Sequence, residues 1–549
     1  MSKITVFTAK CIHTMTESAP QATAVAVRDG VILEAGTLDS LAPWLEAHPH
    51  EVDERFADKV ILPGFIDPHL HPFIGAVLLP TRFITAFEWD LPGQSGVATR
   101  GHSEYLAAVQ QAVDADDGAQ PIFVTWGYHQ IWHGQVTRAQ LNAISATRPI
   151  LVWHRSFHEV ILNDAAIALL NIDAEVMETH PQIDAAAGRF SETGAMVAIE
   201  GVKPILFSPT WFGAGLAQLH EVLHAGGHTT VADMAWGMFD YELEWAAYTH
   251  AMDSVAPPYR VMMVPRGLPD PELTGSPEAA FDRVDALTDR GTDRLFFDRH
   301  VKFFTDGAFF SELMQLGDPG YIDGHHGEWL TAPEQFEAIA RPYWNAGYRI
   351  HVHCTGDLGV ELALDVLDKL QFERPRVDHR FTIEHFGVST EDQVRRIKAL
   401  GALVSANVYY LHELGEAYWR ESIGHERASQ MARLGSLARA DVPFALHSDF
   451  TMAPAHPLTS VWVAVNRFAE SGAVLGENER ISVHQALKAI TIDAAWVLGQ
   501  EGQIGSIRSG KKADFTVLDE DPYEVDPAKL KDIRIEATVF EGAVHPRPK

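Results

Sequence analysis

Two histidines at the end of an apolar segment have a spacing suited to metal binding. His69 and His71 close the segment LPGFIDPHLH. Side chains at positions i and i+2 of a β-strand point to the same face, so these two imidazoles can hold one metal ion. A chance pair of this kind is also expected in a chain with 28 histidines. The interpretation therefore depends on similar groups elsewhere in the chain.

Metal-binding side chains also mark the ends of three other apolar segments. His353 lies near the end of YRIHVHC, His385 ends RFTIEH and Asp449 ends VPFALHSD. Each of them alone is typical of a packed or hydrogen-bonded residue, but together with the first pair they predict one metal centre. His351 shares a strand face with His353, so strand periodicity leaves either histidine as the ligand.

A lysine occupies an apolar segment in which a charge is unexpected. Lys302 lies inside HVKFFTDGA, and burial of an unpaired ammonium group is costly. One interpretation is a lysine that is salt-bridged or turned toward a helix. The other is a lysine neutral enough to react with CO2, which gives a carbamate that can bridge two metal ions.

The segments that must position these residues alternate with amphipathic helical stretches. Eight short apolar segments are followed in most cases by one helical pattern, and they are residues 60–71, 228–234, 259–264, 300–305, 348–354, 380–385, 402–407 and 442–449. This alternation predicts an α/β protein with a (β/α)8 TIM barrel, whose active site lies at the carboxyl ends of the strands. A doubly wound sheet is the rival, but it rarely contains eight such regular units.

The two ends of the chain contain short β segments that are too small to form separate domains. Residues 1–60 and 500–549 are therefore predicted to form one composite β-sandwich, with the barrel at 61–499. Residues 75–210 separate the first two barrel segments and are rich in aromatic side chains. They are predicted to be a cap inserted at the barrel mouth.

Composition excludes several classes of protein. The chain has 43 Lys and Arg against 74 Asp and Glu, a formal net charge of −31, which argues against binding to nucleic acid or to an anionic membrane surface. Two cysteines leave no disulfide framework and no cysteine-based zinc site. No signal peptide or membrane span is expected, and a cytoplasmic location is predicted.

Six motifs carry a resemblance to a known family. They are LPGFIDPHLH, VKFFTDGA, HVHCTGD, FTIEHFG, FALHSD and a tail that includes QALKAITIDAAWVLG and ADFTVLDEDP. As an ordered set over nearly the whole chain they resemble the amidohydrolase superfamily, in particular amidohydrolase family 3, which includes N-substituted formamide deformylases. The resemblance implies a (β/α)8 barrel with a composite β-sandwich, and a homodimer.

The family's ligand pattern can be carried over to matching positions. It implies two zinc ions held by His69, His71, Lys302, His353, His385 and Asp449, with carboxylated Lys302 as the bridge. His353 is preferred to His351 because the following CTGD matches the family's His-x-x-Gly-Asp. Histidine and oxygen ligands suit zinc. A one-ion variant would leave Lys302 unmodified.

The resemblance also implies a reaction. His69 and His71 would bind the more buried ion, and a metal-activated hydroxide would attack an acyl carbon. Asp449 would take the water's proton and pass it to the departing nitrogen. The predicted activity is hydrolysis of a C–N bond in an amide or N-acyl compound. Ester or lactone hydrolysis, deamination or decarboxylation at the same site is the alternative, and a non-catalytic scaffold is a third hypothesis.

Four residues are candidates for contact with a small, apolar or aromatic substrate. His158 lies in VWHRSFHEVILNDAAI, which matches the family's cap segment. Trp126 and Tyr128 are expected to line an apolar pocket, although packing is the simpler explanation. His447 stands two residues before Asp449, where relatives commonly have glycine, so it can touch substrate, orient Asp449, or be a packed core histidine.

Overall fold

The computed structural model describes residues 2–96, 98–269 and 275–547. The chain divides into two compact units. One contains residues 1–71 and 223–549, and the other contains residues 72–222. The division begins directly after the His69–His71 pair.

Two parallel sheets form the centre of the larger unit. The first has the strand order Leu295–Phe297, Arg260–Pro265, His228–Trp236 and Phe65–Leu70. The second has the order His300–Phe304, Arg349–Cys354, Thr382–His385, Leu403–Ala406 and Phe444–Leu446. Every neighbouring pair in both sheets is parallel. The carboxyl ends of the strands within each sheet therefore lie along one edge.

Backbone hydrogen bonds join the two sheets at two places, near the carboxyl ends of the strands Arg260–Pro265 and Phe65–Leu70. Gly267 N donates to Lys302 O at 3.1 Å, and Asp449 N donates to His69 O at 3.0 Å. These bonds link the eight predicted segments in one circuit. The strands consist of buried, mostly apolar residues, and all of Phe65–Leu70 and His228–Trp236 is buried, as expected for parallel strands covered on both faces.

Helices in the larger unit follow most of the parallel strands. Their bounds are Leu38–Ala47, Tyr241–Val255, Pro277–Asp285, Pro333–Asn345, Asp357–Glu373, Glu391–Leu400, Tyr409–Glu421, Gly424–Ser429, Leu434–Arg439, Pro457–Asn466, Val483–Ala489 and Ile492–Val497. Short 3-10 helices span Phe309–Ser311, Glu477–Glu479 and Pro527–Asp532. Local sequence sets several ends. Thr390 and Gln393 form a capping box at the start of Glu391–Leu400, and Gly401 ends that helix at φ 71°.

A separate eight-stranded sheet draws its strands from both ends of the chain. Its main order is Ala543–Pro546, Ile535–Phe540, Phe515–Leu518, Val60–Pro63, Ile4–His13, Gln21–Arg28 and Val31–Gly36, and His50–Asp53 pairs with Ile4–His13. Asp29 and Gly30 form the turn between the strands Gln21–Arg28 and Val31–Gly36, with φ values of 54° and 76°, as a two-residue turn requires. Phe7, Val25 and Phe515 belong to one core cluster on this sheet.

The unit of residues 72–222 has its own mixed sheet. The order is Ile183–Asp184, Arg189–Ser191, Glu159–Leu162, Ile150–His154, Phe123–Tyr128 and Arg82–Phe83, and a two-stranded sheet pairs Trp89–Leu91 with Gln94–Gly96. Its helices are Pro72–Leu78, His102–Asp114, Gln130–His133, Arg138–Ile144, Asp164–Leu169, Ala174–Thr179, Thr193–Leu206 and Pro209–Ala225. Among the described residues, no helix combines the length and apolar character that crossing a bilayer requires.

Candidate metal centre

Asp449 and the first histidine pair lie together at the carboxyl end of the parallel strands. Asp449 Oδ1 is 3.1 Å from His71 Nε2 and 3.5 Å from His69 Nε2. His69 is completely buried, whereas His71 keeps 18% of its side-chain surface exposed. Three donor atoms from two distant parts of the chain therefore converge on one point, with one imidazole open to solvent.

Lys302 lies against the same histidine. Its Nζ is 3.4 Å from His69 Nε2, and the lysine is completely buried. Burial lowers the pKa of Lys302 to about 8, and the charges of Glu384 and Asp449 oppose this effect. A lowered pKa leaves more of the amine neutral near pH 7 than an exposed lysine would have, and a neutral amine is the form that reacts with CO2.

The remaining predicted ligands lie beside this group. The rings of His353 and His385 have centroids 4.4 Å apart, and those of His69 and His385 are 4.7 Å apart. His385 Nδ1 is 3.6 Å from Asp449 Oδ2. The structure thus brings all six predicted ligands together in one cluster.

His447 belongs to the same cluster. Its Nε2 is 3.3 Å from His385 Nδ1, its Nδ1 is 2.7 Å from Ser405 Oγ, and its ring stacks on that of His69 at 4.4 Å. Burial lowers the pKa of His69, His385 and His447 well below the usual value. These imidazoles are therefore neutral near pH 7 and keep a lone pair for a cation.

Glu384 is a central residue that the sequence analysis missed. It is completely buried, and its Oε2 accepts a hydrogen bond from His69 Nδ1 at 2.7 Å. This bond assigns the proton of His69 to Nδ1, so Nε2 presents its lone pair to Asp449 and Lys302. The available signal was an acidic residue inside the buried strand Thr382–His385.

A chain of hydrogen bonds continues from Glu384 away from the cluster. His351 Nδ1 is 2.6 Å from Glu384 Oε1, and His351 Nε2 is 2.8 Å from His300 Nδ1. Arg349 Nη1 is 3.2 Å from His300 Nε2. Because an arginine can only donate, the ring of His300 accepts from Arg349 and donates to His351, and the ring of His351 donates to Glu384. His351 therefore lies in this chain, and it is His353 that lies beside His385.

The loop that contains Asp449 is held by a second buried carboxylate. Ser448 Oγ donates to Asp67 Oδ2 at 2.5 Å, and His69 N donates to Asp67 Oδ1 at 3.2 Å. Asp449 has a φ of 54°, a conformation that non-glycine residues adopt rarely and mainly at functional sites. Burial raises the pKa of Asp67 to about 7. Asp67 thus ties the strand end of His69 to the loop of Asp449.

Asp306 orders the loop after His353 and was also missed. Its carboxylate accepts backbone N–H bonds from Thr355 at 3.0 Å, Gly356 at 2.8 Å and Gln315 at 3.0 Å. The motif VKFFTDGA therefore supplies Lys302 to the cluster and a carboxylate that fixes the neighbouring loop. An alternating strand pattern does not reveal this second role.

Three of the predicted substrate-contacting residues belong to the unit of residues 72–222. His158 Nδ1 is 2.8 Å from Glu192 Oε2, and the imidazole is 31% exposed. Trp126 is completely buried, next to Phe83. Tyr128 is also completely buried, and its hydroxyl donates to Gly134 O at 2.8 Å. Within this unit His158 thus keeps accessible surface, whereas the two other aromatic residues pack internally.

The donor set fits a divalent metal ion. In the arrangement seen here, the lone pair on His69 Nε2 faces the carboxylate of Asp449, and neutral imidazoles crowd around both. Nitrogen and oxygen lone pairs that converge in this way repel one another unless a cation or a proton lies between them. Imidazole and carboxylate groups are typical ligands of zinc and of related divalent ions.

Known proteins share both the sequence pattern and the fold. Residues 57–545 match the amidohydrolase family. The chain is 23% identical over 547 residues to YtcJ of Bacillus subtilis (strain 168), covering 97% of each chain. It is 23% identical to an N-substituted formamide deformylase of Arthrobacter pascens, covering 88% of each.

A solved structure extends this likeness to the fold. The crystal structure of a metal-dependent hydrolase from Pyrococcus horikoshii OT3 aligns with a TM-score of 0.73 and 22% identity, covering 96% of this chain and 99% of that one. The likeness spans both compact units. The family match runs from just before the strand Val60–Pro63 into the strand Ala543–Pro546 and so covers most of the sequence. The chain therefore belongs to the amidohydrolase family.

Proposed function

We propose that this protein is a metal-dependent hydrolase that cleaves a C–N bond in an amide or N-acyl compound. The observation that carries the proposal is the convergence of Asp449 with His69 and His71 around one point, with Lys302 buried 3.4 Å from His69. The likeness to an N-substituted formamide deformylase supports a C–N substrate. A small apolar or aromatic substrate is proposed.

The proposed cofactor is a pair of zinc ions. The residues that would hold them are His69, His71, Lys302, His353, His385 and Asp449, with Lys302 carboxylated. When bound, such ions supply Lewis acidity and make water a stronger acid. The donor types support zinc, and the buried, partly neutral Lys302 supports the carbamate.

Protein side chains would transfer the proton of the attacking water and keep the proposed metal ligands in position. Asp449 is the proposed general base and then general acid, which takes a proton from the attacking water and returns it to the departing nitrogen. Asp67 and Ser448 hold the Asp449 loop in its left-handed conformation. Glu384 keeps the proton of His69 on Nδ1. The proposed substrate contacts are His158 and His447, because Trp126 and Tyr128 are completely buried within their own unit.

We also propose a division of the chain into three parts. The barrel would span residues 61–499 as a (β/α)8 barrel, residues 1–60 and 500–549 would form a composite β-sandwich, and residues 75–210 would be the cap. A cytoplasmic homodimer that binds no nucleic acid and no membrane is also proposed. The strand circuit and the sheet built from both chain ends support the first two assignments.

The test is a parallel assay of amides, N-formyl amines, esters and lactones with the zinc-loaded protein. Hydrolysis of amides or N-formyl amines is expected, and Asp449→Asn should abolish it while the metal content stays unchanged. Asp441→Asn is the matched control, because Asp441 is exposed on the surface. If the protein hydrolyses only esters or lactones, the proposed C–N reaction is wrong. If it binds no metal, it is a non-catalytic scaffold.

A further inference from the structure

A second group of metal-binding side chains lies in the sheet built from both chain ends. Cys11 and His13 belong to the strand Ile4–His13, and Asp521 follows the strand Phe515–Leu518. Their ligand atoms all lie within 4.8 Å of one another. His13 and Asp521 are buried, and Cys11 is partly buried. None of these three residues belongs to the candidate metal centre.

The distances within this group can be compared with those of a coordination site. Cys11 Sγ is 3.6 Å from His13 Nε2, and that nitrogen is 3.0 and 2.9 Å from the two carboxylate oxygens of Asp521. Tetrahedral ligands at about 2.3 Å for sulfur and about 2.0 Å for nitrogen or oxygen stand roughly 3.3–3.6 Å apart. The separation of Sγ from Nε2 has this value, and the carboxylate is a few tenths of an ångström too close. Because Sγ is also 4.0 Å from His13 Nδ1, the thiol must rotate toward the Nε2 side of the ring to bind the same ion.

His13 Nε2 can donate a proton to Asp521 or accept one from Cys11, but it cannot do both. His13 Nε2 faces both oxygens of Asp521 and the sulfur of Cys11, but an imidazole nitrogen carries at most one hydrogen. If that hydrogen is shared with Asp521, the sulfur gains no partner from the ring. A cation at the centre would accept lone pairs from all three groups at once.

Local structure aims the donors at one another. The register of Ile4–His13 against Gln21–Arg28 shifts between Thr8 and Ile12. Cys11 lies within this irregular stretch, and His13 follows two residues later on the same strand. The ring of Tyr523 packs on His13 with centroids 4.5 Å apart. Tyr523 N also donates to Asp521 Oδ1 at 2.9 Å. The imidazole and the carboxylate are therefore held in place from the same turn.

We propose that Cys11, His13 and Asp521 form a binding site for one divalent transition-metal ion, of which zinc suits the sulfur, nitrogen and oxygen donors best. Binding forms a bond to the Cys11 sulfur and releases the thiol proton to solvent. The ion would cross-link the first strand of the chain to a segment 508 residues later in the sequence. Two cysteines are too few for a site of several thiolates, but one is enough for this mixed site.

Cobalt provides a test that separates this site from the histidine cluster. Full-length protein is stripped of metal with a chelator and titrated with Co2+. A thiolate ligand gives a near-ultraviolet charge-transfer absorption, which histidine and carboxylate ligands do not give. We expect this band in the wild type and in the control Cys354→Ser. In Cys11→Ser we expect the band to be absent and the protein to bind one equivalent of Co2+ fewer. No band in the wild type, or a band lost only in Cys354→Ser, would overturn the proposal.

A second measurement follows the Cys11 thiol directly. Alkylation of the Cys11 thiol in the native protein is followed by mass spectrometry with and without Zn2+. We expect a several-fold slower reaction with zinc, because a coordinated thiolate is shielded, and no such protection in His13→Gln or Asp521→Asn. An alkylation rate that zinc does not change, or equal protection in these variants, would show that the cluster is only an ion pair beside a thiol.

Discussion

Glu384 accepts a 2.7 Å hydrogen bond from His69 Nδ1, and both side chains are completely buried. The bond joins residues 315 positions apart in the sequence. It determines which nitrogen of His69 faces Asp449 and Lys302. The same carboxylate also receives the chain of hydrogen bonds that starts at Arg349. Glu384 therefore connects the hydrogen-bond chain of His351 and His300 to the candidate metal centre and orients His69 within it.

Replacing Glu384 with glutamine should weaken metal binding. The amide can donate as well as accept, so it no longer requires the proton of His69 to stay on Nδ1. Changes of this kind next to a metal ligand lower affinity about 10–100-fold. A competition titration with a chromophoric chelator measures the effect. The exposed Glu477→Gln should keep the wild-type affinity, and equal affinities in the two variants would remove Glu384 from this role.

The variant His351→Phe should destabilise the larger unit. It removes the donor to Glu384 Oε1 at 2.6 Å and leaves His300 Nδ1 without its acceptor. An unsatisfied buried polar group costs about 1–3 kcal/mol. Urea unfolding at neutral pH measures the free energy of unfolding. An unchanged free energy would mean that the hydrogen-bond chain carries no net stability.

Ser448 and Asp67 should be energetically coupled. Ser448→Ala removes the 2.5 Å hydrogen bond to Asp67 Oδ2, and Asp67→Asn weakens the same contact. Residues in direct contact show coupling energies of about 0.5–3 kcal/mol in a double-mutant cycle. We expect both variants to lower kcat, because the loop that carries Asp449 loses its support. Strictly additive stability changes and an unaffected kcat would contradict this function of Asp67.

Acid should destabilise the protein through His228. Burial lowers the pKa of His228 from 6.5 to about 4, and its Nδ1 is 2.9 Å from Leu223 O. Between these two pKa values the unfolded chain binds a proton that the folded state does not bind, so stability falls as the pH falls from 6.5 toward 4. The expected loss approaches about 3 kcal/mol near pH 4.

Unfolding by urea at a series of pH values checks this prediction. The variant His228→Gln has no imidazole at this position, so its stability should fall less steeply over the same pH window. Other buried histidines whose pKa is lowered, including His133 and His220, leave part of the slope in place. Equal slopes in the variant and the wild type would show that His228 does not contribute.

Local sequence patterns were enough to predict the α/β fold and the strands that carry the candidate metal-binding residues. Each of the eight predicted segments contains a parallel strand, as expected for continuous apolar runs that alternate with amphipathic helices. The first segment is divided, because Val60–Pro63 joins the sheet built from both chain ends and only Phe65–Leu70 is a parallel strand. The ends of those strands supply His69, Lys302, His385 and Asp449 to one cluster. Strand periodicity places a residue on a face, and the parallel order places the strand ends together.

Only the tertiary structure determines which residues meet across the parallel sheets and within the sheet built from both chain ends. Glu384 and the His351–His300 chain, together with Asp67, set the orientation of the ligands. No periodicity indicates such contacts, because they depend on the direction of each hydrogen bond between strands far apart in sequence. The meeting of Cys11 with Asp521 is the extreme case. The two residues meet only because both chain ends contribute strands to one sheet, and their positions in the sequence do not indicate this pairing.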